Sequence, residues 1–300
     1  MRTVYLGTSE FASTVLRRLA EGPHRPQLVV TRPNRPRGRG RQVTPPPVAE
    51  TARELGIDLL QPERVNSDDA RAAIAASEPE MVCICAYGAL IKEPLLSEHA
   101  MLNVHPSLLP RWRGAAPIER AIEAGDAETG VSIMRPTAEM DAGPVCLQRS
   151  EPIHADDDYG SLAERLARLG GELLVEALDK SPPFHEQPEE GVTIAPKIGP
   201  EDRALDGSAE AATLERRVRA LTPHVGAYVI LPGGERLGVR KAAVSDAAPP
   251  PPSELSVDAD RLLFGCVDAA LELLEVQPAG GRAMDAAAYL RGHGAQLHTA

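Results

Sequence analysis

The chain has 300 residues, 43% of them hydrophobic, and a formal net charge of −11. That length accommodates two domains with cores of their own, and the composition is that of a soluble globular protein. The acidic balance excludes a protein that holds nucleic acid by its overall charge, and no apolar run reaches the ~20 residues of a membrane span.

The N-terminus runs straight into a short apolar stretch without an h-region or a small-residue cleavage site, so a cytoplasmic protein is expected. Residues 2–6 form a first strand ending in Gly7-Thr8-Ser9. A helix follows over residues 11–21, with Phe11, Val15, Leu16 and Leu19 on one face. A second strand covers residues 28–31. Residues 32–47 break the pattern: five arginines (Arg32, Arg35, Arg37, Arg39, Arg41) and no acid, then Pro45-Pro46-Pro47. Such a composition buries little and predicts a loop, read either as a solvated insertion or as an electrostatic arm for an anionic substrate. Helices are expected over 51–55 and 68–76. Residues 81–87 form a continuous apolar strand of the kind buried on both faces. Within it Cys83 and Cys85 are expected as small buried residues. With Cys146 and Cys266 they make no pair at zinc-ligand spacing, and no metal is expected.

A strand over 101–105, a helix over 115–124, a strand over 130–135 and a helix over 161–178 complete the alternation. Alternating β and α units predict an α/β domain, with a mostly parallel sheet covered by helices on both faces. The proline-rich residues beyond 180 read as a linker, giving a first domain over 1–183, a linker over 184–205 and a second domain over 206–300. That second part has a short amphipathic helix over 214–221, then strand-like runs at 227–231, 236–243, 262–266 and 271–277, separated by Gly/Pro turns. Short strands with frequent turns predict a small β-barrel-like domain.

Chemistry concentrates after residue 100. In Asn103-Val104-His105 the amide and the imidazole are i, i+2 neighbours on one strand face, at the C-terminal end where open parallel sheets bind ligands. Together they can bond a carbonyl oxygen as it gains negative charge; the alternative is a polar strand end bonded to nearby backbone. Ser107-Leu108-Leu109-Pro110 follows, a proline-stopped loop whose leucines can wall an apolar pocket. Asp141, before Ala142-Gly143, can stabilise a neighbouring imidazolium or take a proton through water, or can be a turn residue. Gly7-Thr8-Ser9 can present backbone N–H groups to an anion, but no G-x-G-x-x-G, P-loop lysine or G-x-S-x-G is present.

Along nearly its whole length the sequence resembles the methionyl-tRNA formyltransferase family. The resemblance rests on Leu6-Gly7-Thr8-Ser9-Glu10-Phe11-Ala12, the arginine loop from Thr31 to Gly40, Ala86-Tyr87-Gly88, and the run from Asn103 through Pro110 to Ile118. Gly125-Asp126-Ala127-Glu128-Thr129-Gly130-Val131, Met140-Asp141-Ala142-Gly143, Arg219-Ala220-Leu221-Thr222-Pro223 and Leu274-Glu275-Val276-Gln277-Pro278-Ala279-Gly280 extend it. It implies a Rossmann-like catalytic domain joined to a C-terminal open β-barrel (OB-like) domain that contacts tRNA. It implies transfer of a formyl group from 10-formyltetrahydrofolate to the α-amine of charged initiator methionyl-tRNA by a monomer, without metal or membrane. Asn103, His105 and Asp141 match the family's catalytic trio, and Ser107, Leu108, Leu109 and Pro110 its folate-binding signature. Arg39 matches a basic position in the loop that meets the tRNA acceptor end, and Arg35, Arg37 and Arg41 are expected to contact tRNA with it.

The chain departs from the family at Pro223-His224-Val225-Gly226, where a Pro-Trp-Pro-Gly stretch is common, and at Pro144, where an acid is common. From Asp206 onward it carries nine Lys/Arg against twelve Asp/Glu. Glycinamide ribonucleotide formyltransferases share the run beginning at Asn103 but not the second domain. Sugar-nucleotide formyltransferases share the trio but not the arginine loop. A noncatalytic RNA-binding protein on the same scaffold would not need the trio.

Overall fold

The computed structural model describes residues 1–37 and 42–293. The chain divides into two compact units, the first made of Met1–Pro117, Glu128–Pro152 and Ala163–Ala195, the second of the remainder.

The first unit opens with strand β1 (Thr3–Gly7), fully buried, and helix α1 (Glu10–Ala20). The Ser9 hydroxyl caps α1 by accepting from Ala12 N. Ala12, Val15, Leu16 and Leu19 are buried on the helix; Phe11, expected with them, is only half-buried. Strand β2 (Pro26–Val30) follows, then two short antiparallel strands, β3 (Arg35–Arg37) and β4 (Gln42–Thr44). Helix α2 (Pro47–Leu55) begins earlier than expected. Pro47 belongs to its first turn, where a missing N–H costs nothing, rather than to the loop. Strand β5 (Asp58–Leu60), helix α3 (Asp68–Ala76), strand β6 (Met81–Cys85), the single-turn helix α4 (Leu95–Glu98) and strand β7 (Met101–His105) come next.

Beyond them lie the two-residue strand β8 (Arg113–Gly114), helix α5 (Pro117–Ala124), strands β9 (Glu128–Met134) and β10 (Val145–Pro152), helix α6 (Tyr159–Lys180) and strand β11 (Ile194–Ala195). The main sheet runs β10-β9-β7-β6-β1-β2-β5. Its five strands from β7 to β5 are parallel, while β9 is antiparallel to β7 and β10 to β9.

Register separates the two faces of this sheet. Tyr5 lies beside Cys83, and Cys85 beside Val104. On that face Tyr5 bonds the Ala12 carbonyl of α1, and Gly170 of α6 lies against Val104 and Val131. The opposite face carries Val4, Leu6, Val82, Ile84 and Met101, packed with Ile74 of α3 and Leu95 of α4. Helices thus cover both faces of a mostly parallel, Rossmann-like sheet. Ile84 pairs with Asn103, so Asn103 and His105 point to this second face, level with Met134 and Ser132 of β9.

The second unit is an antiparallel sheet in the order β12 (Ala227–Ile230), β13 (Arg236–Ser245), β16 (Ala270–Pro278), β15 (Arg261–Gly265), β14 (Leu255–Asp258), with β17 (Met284–Asp285) added to β16. The pairing of β13 with β16 shifts register twice near Lys241, the bulges that bend a sheet toward a barrel. Leu214, Val218 and Leu221 of helix α7 (Ala211–Leu221) join Val229, Val239, Phe264, Leu273 and Tyr289, the last on helix α8 (Ala286–His293), in one core.

The segment expected as a linker over 184–205 divides between the units. His185 exchanges two backbone hydrogen bonds with Val145, the Phe184 ring lies 4.2 Å from the Arg135 guanidinium carbon, and β11 pairs in parallel with β8. From Pro196 onward the chain belongs to the second unit, which also takes Ile118–Ala127 and Ile153–Leu162 out of the stretch assigned by sequence to the first domain. Arg120 pairs with Glu123 and Asp202, Arg217 pairs with Glu123, and the Tyr159 and His224 rings stack at 3.7 Å. Among the described residues no helix is long and apolar enough to cross a membrane.

Candidate active site

The site begins at the C-terminal end of β7. His105 is 4% exposed. Its Nε2–H donates to the Trp112 carbonyl at 2.9 Å, which requires a proton on that nitrogen, because a carbonyl only accepts. Its Nδ1 faces Asp141 Oδ2 at 3.7 Å. The ring is thus hydrogen-bonded through Nε2, while the Asp141 carboxylate stands just beyond hydrogen-bond distance of Nδ1. Asn103 is half-buried two residues earlier on the same face, and among the described residues its side-chain amide has no hydrogen-bond partner. The reading of Asn103 and His105 as a strand end bonded only to nearby backbone therefore fits the histidine in part and the asparagine not at all.

Asp141 reaches His105 from the loop between β9 and β10. Its φ of 51° is left-handed, a conformation Asp tolerates better than most residues. Its Oδ2 accepts from Gly114 N at 2.9 Å. Gly114 has φ 125°, and a Cβ there would stand 2.6 Å from the Ala195 carbonyl, so only glycine brings this N–H to the carboxylate. The Asp141 loop folds back tightly as well. Arg135 N donates to the Pro144 carbonyl at 2.9 Å, and a Cβ on Gly143 would lie 1.9 Å from the Arg135 carbonyl. Asp141 is thus a turn residue whose carboxylate also lies 3.7 Å from His105.

The loop after β7 is braced from within. Ser107 is fully buried, its hydroxyl donating to the Arg111 carbonyl at 2.6 Å. Ser132 on β9 donates to the Ser107 carbonyl at 2.6 Å and accepts from Leu109 N at 3.1 Å and Gln148 Nε2 at 2.8 Å. Gln148 also donates to the Leu109 carbonyl. Leu109 is buried, whereas Leu108 and Pro110 are half-buried.

Arg35 and Arg37 lie on β3, opposite Thr44 and Gln42, and Arg35 is exposed. Arg39 and Arg41 lie outside the described residues. A pocket of about 560 Å³ has Arg32, Arg64 and Lys92 in its wall, with Glu63. Sequence reasoning did not assign Ser132, Gln148, Arg113, Gly114 or Gln187. Ser132 carried a weak signal, since it is the one polar residue in the run Gly130-Val131-Ser132-Ile133-Met134. Gln187, within a proline- and glutamate-rich stretch, carried none.

Known proteins are similar to this chain along almost its whole length. The family model described as formyl transferase matches residues 1–178, and the one described as formyl transferase, C-terminal domain, matches residues 197–294. A methionyl-tRNA formyltransferase from Dechloromonas aromatica is 40% identical over 98% of this chain and 96% of its own length. One from Methylococcus capsulatus is 43% identical over 98% and 97%. Among solved structures, HypX from Aquifex aeolicus in complex with tetrahydrofolic acid shares the fold with a TM-score of 0.65 at 20% identity. It covers all of this chain, which spans about half the length of HypX. Two family models in series and this identity across almost the entire length place the chain in the methionyl-tRNA formyltransferase family of formyl-transferring enzymes.

Proposed function

We propose that the chain transfers a formyl group from 10-formyltetrahydrofolate to the α-amine of initiator methionyl-tRNA, with Asn103, His105 and Asp141 as the reacting machinery. The observation that carries this reading is the approach of Asp141 to His105 on the strand face where the Asn103 amide has no hydrogen-bond partner among the described residues. A folate donor is supported by the tetrahydrofolic acid complex of HypX, and the acceptor by the names of the curated relatives.

In this mechanism the free amine attacks the formyl carbon, and negative charge grows on the formyl oxygen. The Asn103 Nδ2–H donates to that oxygen, and its value rises as the charge develops. Protonated His105 supplies the neighbouring positive charge, held by the Asp141 carboxylate at Nδ1. The new C–N bond gives a tetrahedral intermediate, and its collapse restores the formyl carbonyl as the bond to the folate nitrogen breaks. The amine proton leaves through water toward Asp141, and the folate nitrogen takes a proton as it departs. Leu108 and Pro110 wall the donor site. Arg35, Arg37, Arg39 and Arg41 meet tRNA phosphates in this reading.

One assay decides the acceptor. Purified protein with 10-formyltetrahydrofolate is offered charged initiator tRNA, glycinamide ribotide or an amino-sugar nucleotide. Formyl-methionyl-tRNA is the expected product, and formylation of only a small-molecule amine overturns the reading.

A further inference from the structure

We propose that Gln187 is a positioning residue for this reaction, acting through Asp141; the inference rests on the reading of Asp141 given above. The Gln187 carboxamide is used at both ends. Its Nε2 donates to the Asp141 carbonyl at 2.8 Å and to the Gly143 carbonyl at 2.7 Å. Its Oε1 accepts from Arg113 Nε at 2.9 Å. The orientation is forced, because a guanidinium only donates and carbonyls only accept. Arg113 immediately precedes Gly114, whose N–H donates to the Asp141 carboxylate. One side chain therefore ties together the loop that carries Asp141 and the strand that carries the N–H orienting its carboxylate toward His105.

The segment bearing Gln187 is itself anchored on both sides. His185 exchanges backbone bonds with Val145 at 2.9 Å each. Thr193 accepts from Trp112 N at 2.8 Å through its hydroxyl and from Arg113 N at 2.9 Å through its carbonyl. Trp112 is also the residue whose carbonyl holds His105 Nε2. The left-handed backbone at Asp141 is a conformation that surrounding bonds must maintain, and Gln187 supplies two of them where the chain bends, at residues 141 and 143. Without them the carboxylate is free to shift from His105, and a displacement of about 1 Å at such a site costs up to 100-fold in rate. Gln187 touches no reacting atom in this scheme, so its loss slows the chemical step without weakening binding of either substrate.

The test uses the full chain and four variants: Gln187→Ala, Gln187→Glu, Asp141→Ala and the Asp141→Ala/Gln187→Ala double variant. Formylation of methionyl-tRNA gives kcat and both KM values, and thermal unfolding reports folding. Gln187→Ala is expected to lower kcat by about tenfold or more while each KM stays within about twofold. Gln187→Glu keeps an acceptor for Arg113 but turns a carboxylate oxygen toward two carbonyls; it is expected to lose at least as much and serves if the alanine variant folds poorly. Once Asp141 is removed, Gln187→Ala should slow the enzyme by less than about twofold further. If both Gln187 variants fold and keep wild-type kcat while Asp141→Ala is impaired, this inference alone is overturned. It is overturned equally if the Gln187 effect persists in full in the Asp141→Ala background. If Asp141→Ala keeps wild-type kcat, the reading of the trio falls and this inference with it.

Discussion

His105 is bonded through Nε2 and faces the Asp141 carboxylate at Nδ1, whereas the Asn103 amide beside it has no hydrogen-bond partner among the described residues. This asymmetry assigns different work to the two residues and gives different expectations for their loss. Asn103→Ala should lower kcat by about 100-fold, the loss typical of one donor to a developing oxyanion, with little change in either KM. Asn103→Asp should do no better, since a carboxylate presents no donor. Steady-state kinetics with methionyl-tRNA check both, and near-wild-type turnover would remove Asn103 from the mechanism. Ser132 is a separate case. It is buried with three hydrogen bonds, and Ser132→Ala leaves Leu109 N without its partner. A cost of about 1–3 kcal/mol in unfolding free energy is expected, measurable in a denaturant titration, together with a raised KM for the folate donor.

The i, i+2 spacing of Asn103 and His105 was enough to set both on one strand face, because alternation follows from strand geometry alone. The partner of Asp141 could not be read in the same way. Gln187 lies 46 residues from it, and a carboxamide inside a Pro/Glu-rich stretch looks like any linker residue until the chain is folded.

Among the elements, strands with a buried run matched expectation, whereas the half-exposed edge strand was not expected. Strand β10 has no buried residue and reads Val-Cys-Leu-Gln-Arg-Ser-Glu-Pro, so the edge of the sheet left no alternation to find. The stretch 32–47 was expected as a loop because arginine, glycine and proline bury little. It nevertheless holds one pair of strands with three residue pairs, with Pro36 tolerated opposite Val43 because a two-stranded ribbon leaves one side of each strand unbonded. This hairpin presents Arg35 to solvent. Arg35→Ala is expected to raise the KM for methionyl-tRNA, leave that for the folate donor unchanged, and flatten the salt dependence of tRNA binding. The flattening is about 0.9 in log–log slope for each duplex phosphate that is no longer neutralised. An unchanged KM for tRNA between 50 and 200 mM salt, a range chosen on the order of that over which phosphate neutralisation is felt, would separate the hairpin from tRNA.

For the molecule as a whole, the net charge of −11 means that a polyanionic substrate is met by local positive surface against a repulsive background. The charge also acts on stability, but at high pH buried groups decide. Cys83 and Cys85 stand at the centre of the main sheet, on the face shared with Tyr5, and burial pushes both thiols up to about 12. In the unfolded chain they ionise near the ordinary thiol value of about 8.5. Between these limits the folded state binds more protons than the unfolded one, so stability falls as pH rises. The contribution is fully present below about pH 8.5 and is lost progressively toward pH 12, at no more than about 1.4 kcal/mol per pH unit for each thiol. The unfolding transition that exposes these thiols to a thiol reagent should therefore move to lower temperature from pH 8.5 to 11. A Cys83→Ala/Cys85→Ala variant, less stable at neutral pH because of the volume it loses, should show a shallower decline over the same range. An equal decline in both proteins would place the alkaline sensitivity elsewhere, with the buried phenols of Tyr5 and Tyr87 next in line, since burial raises both.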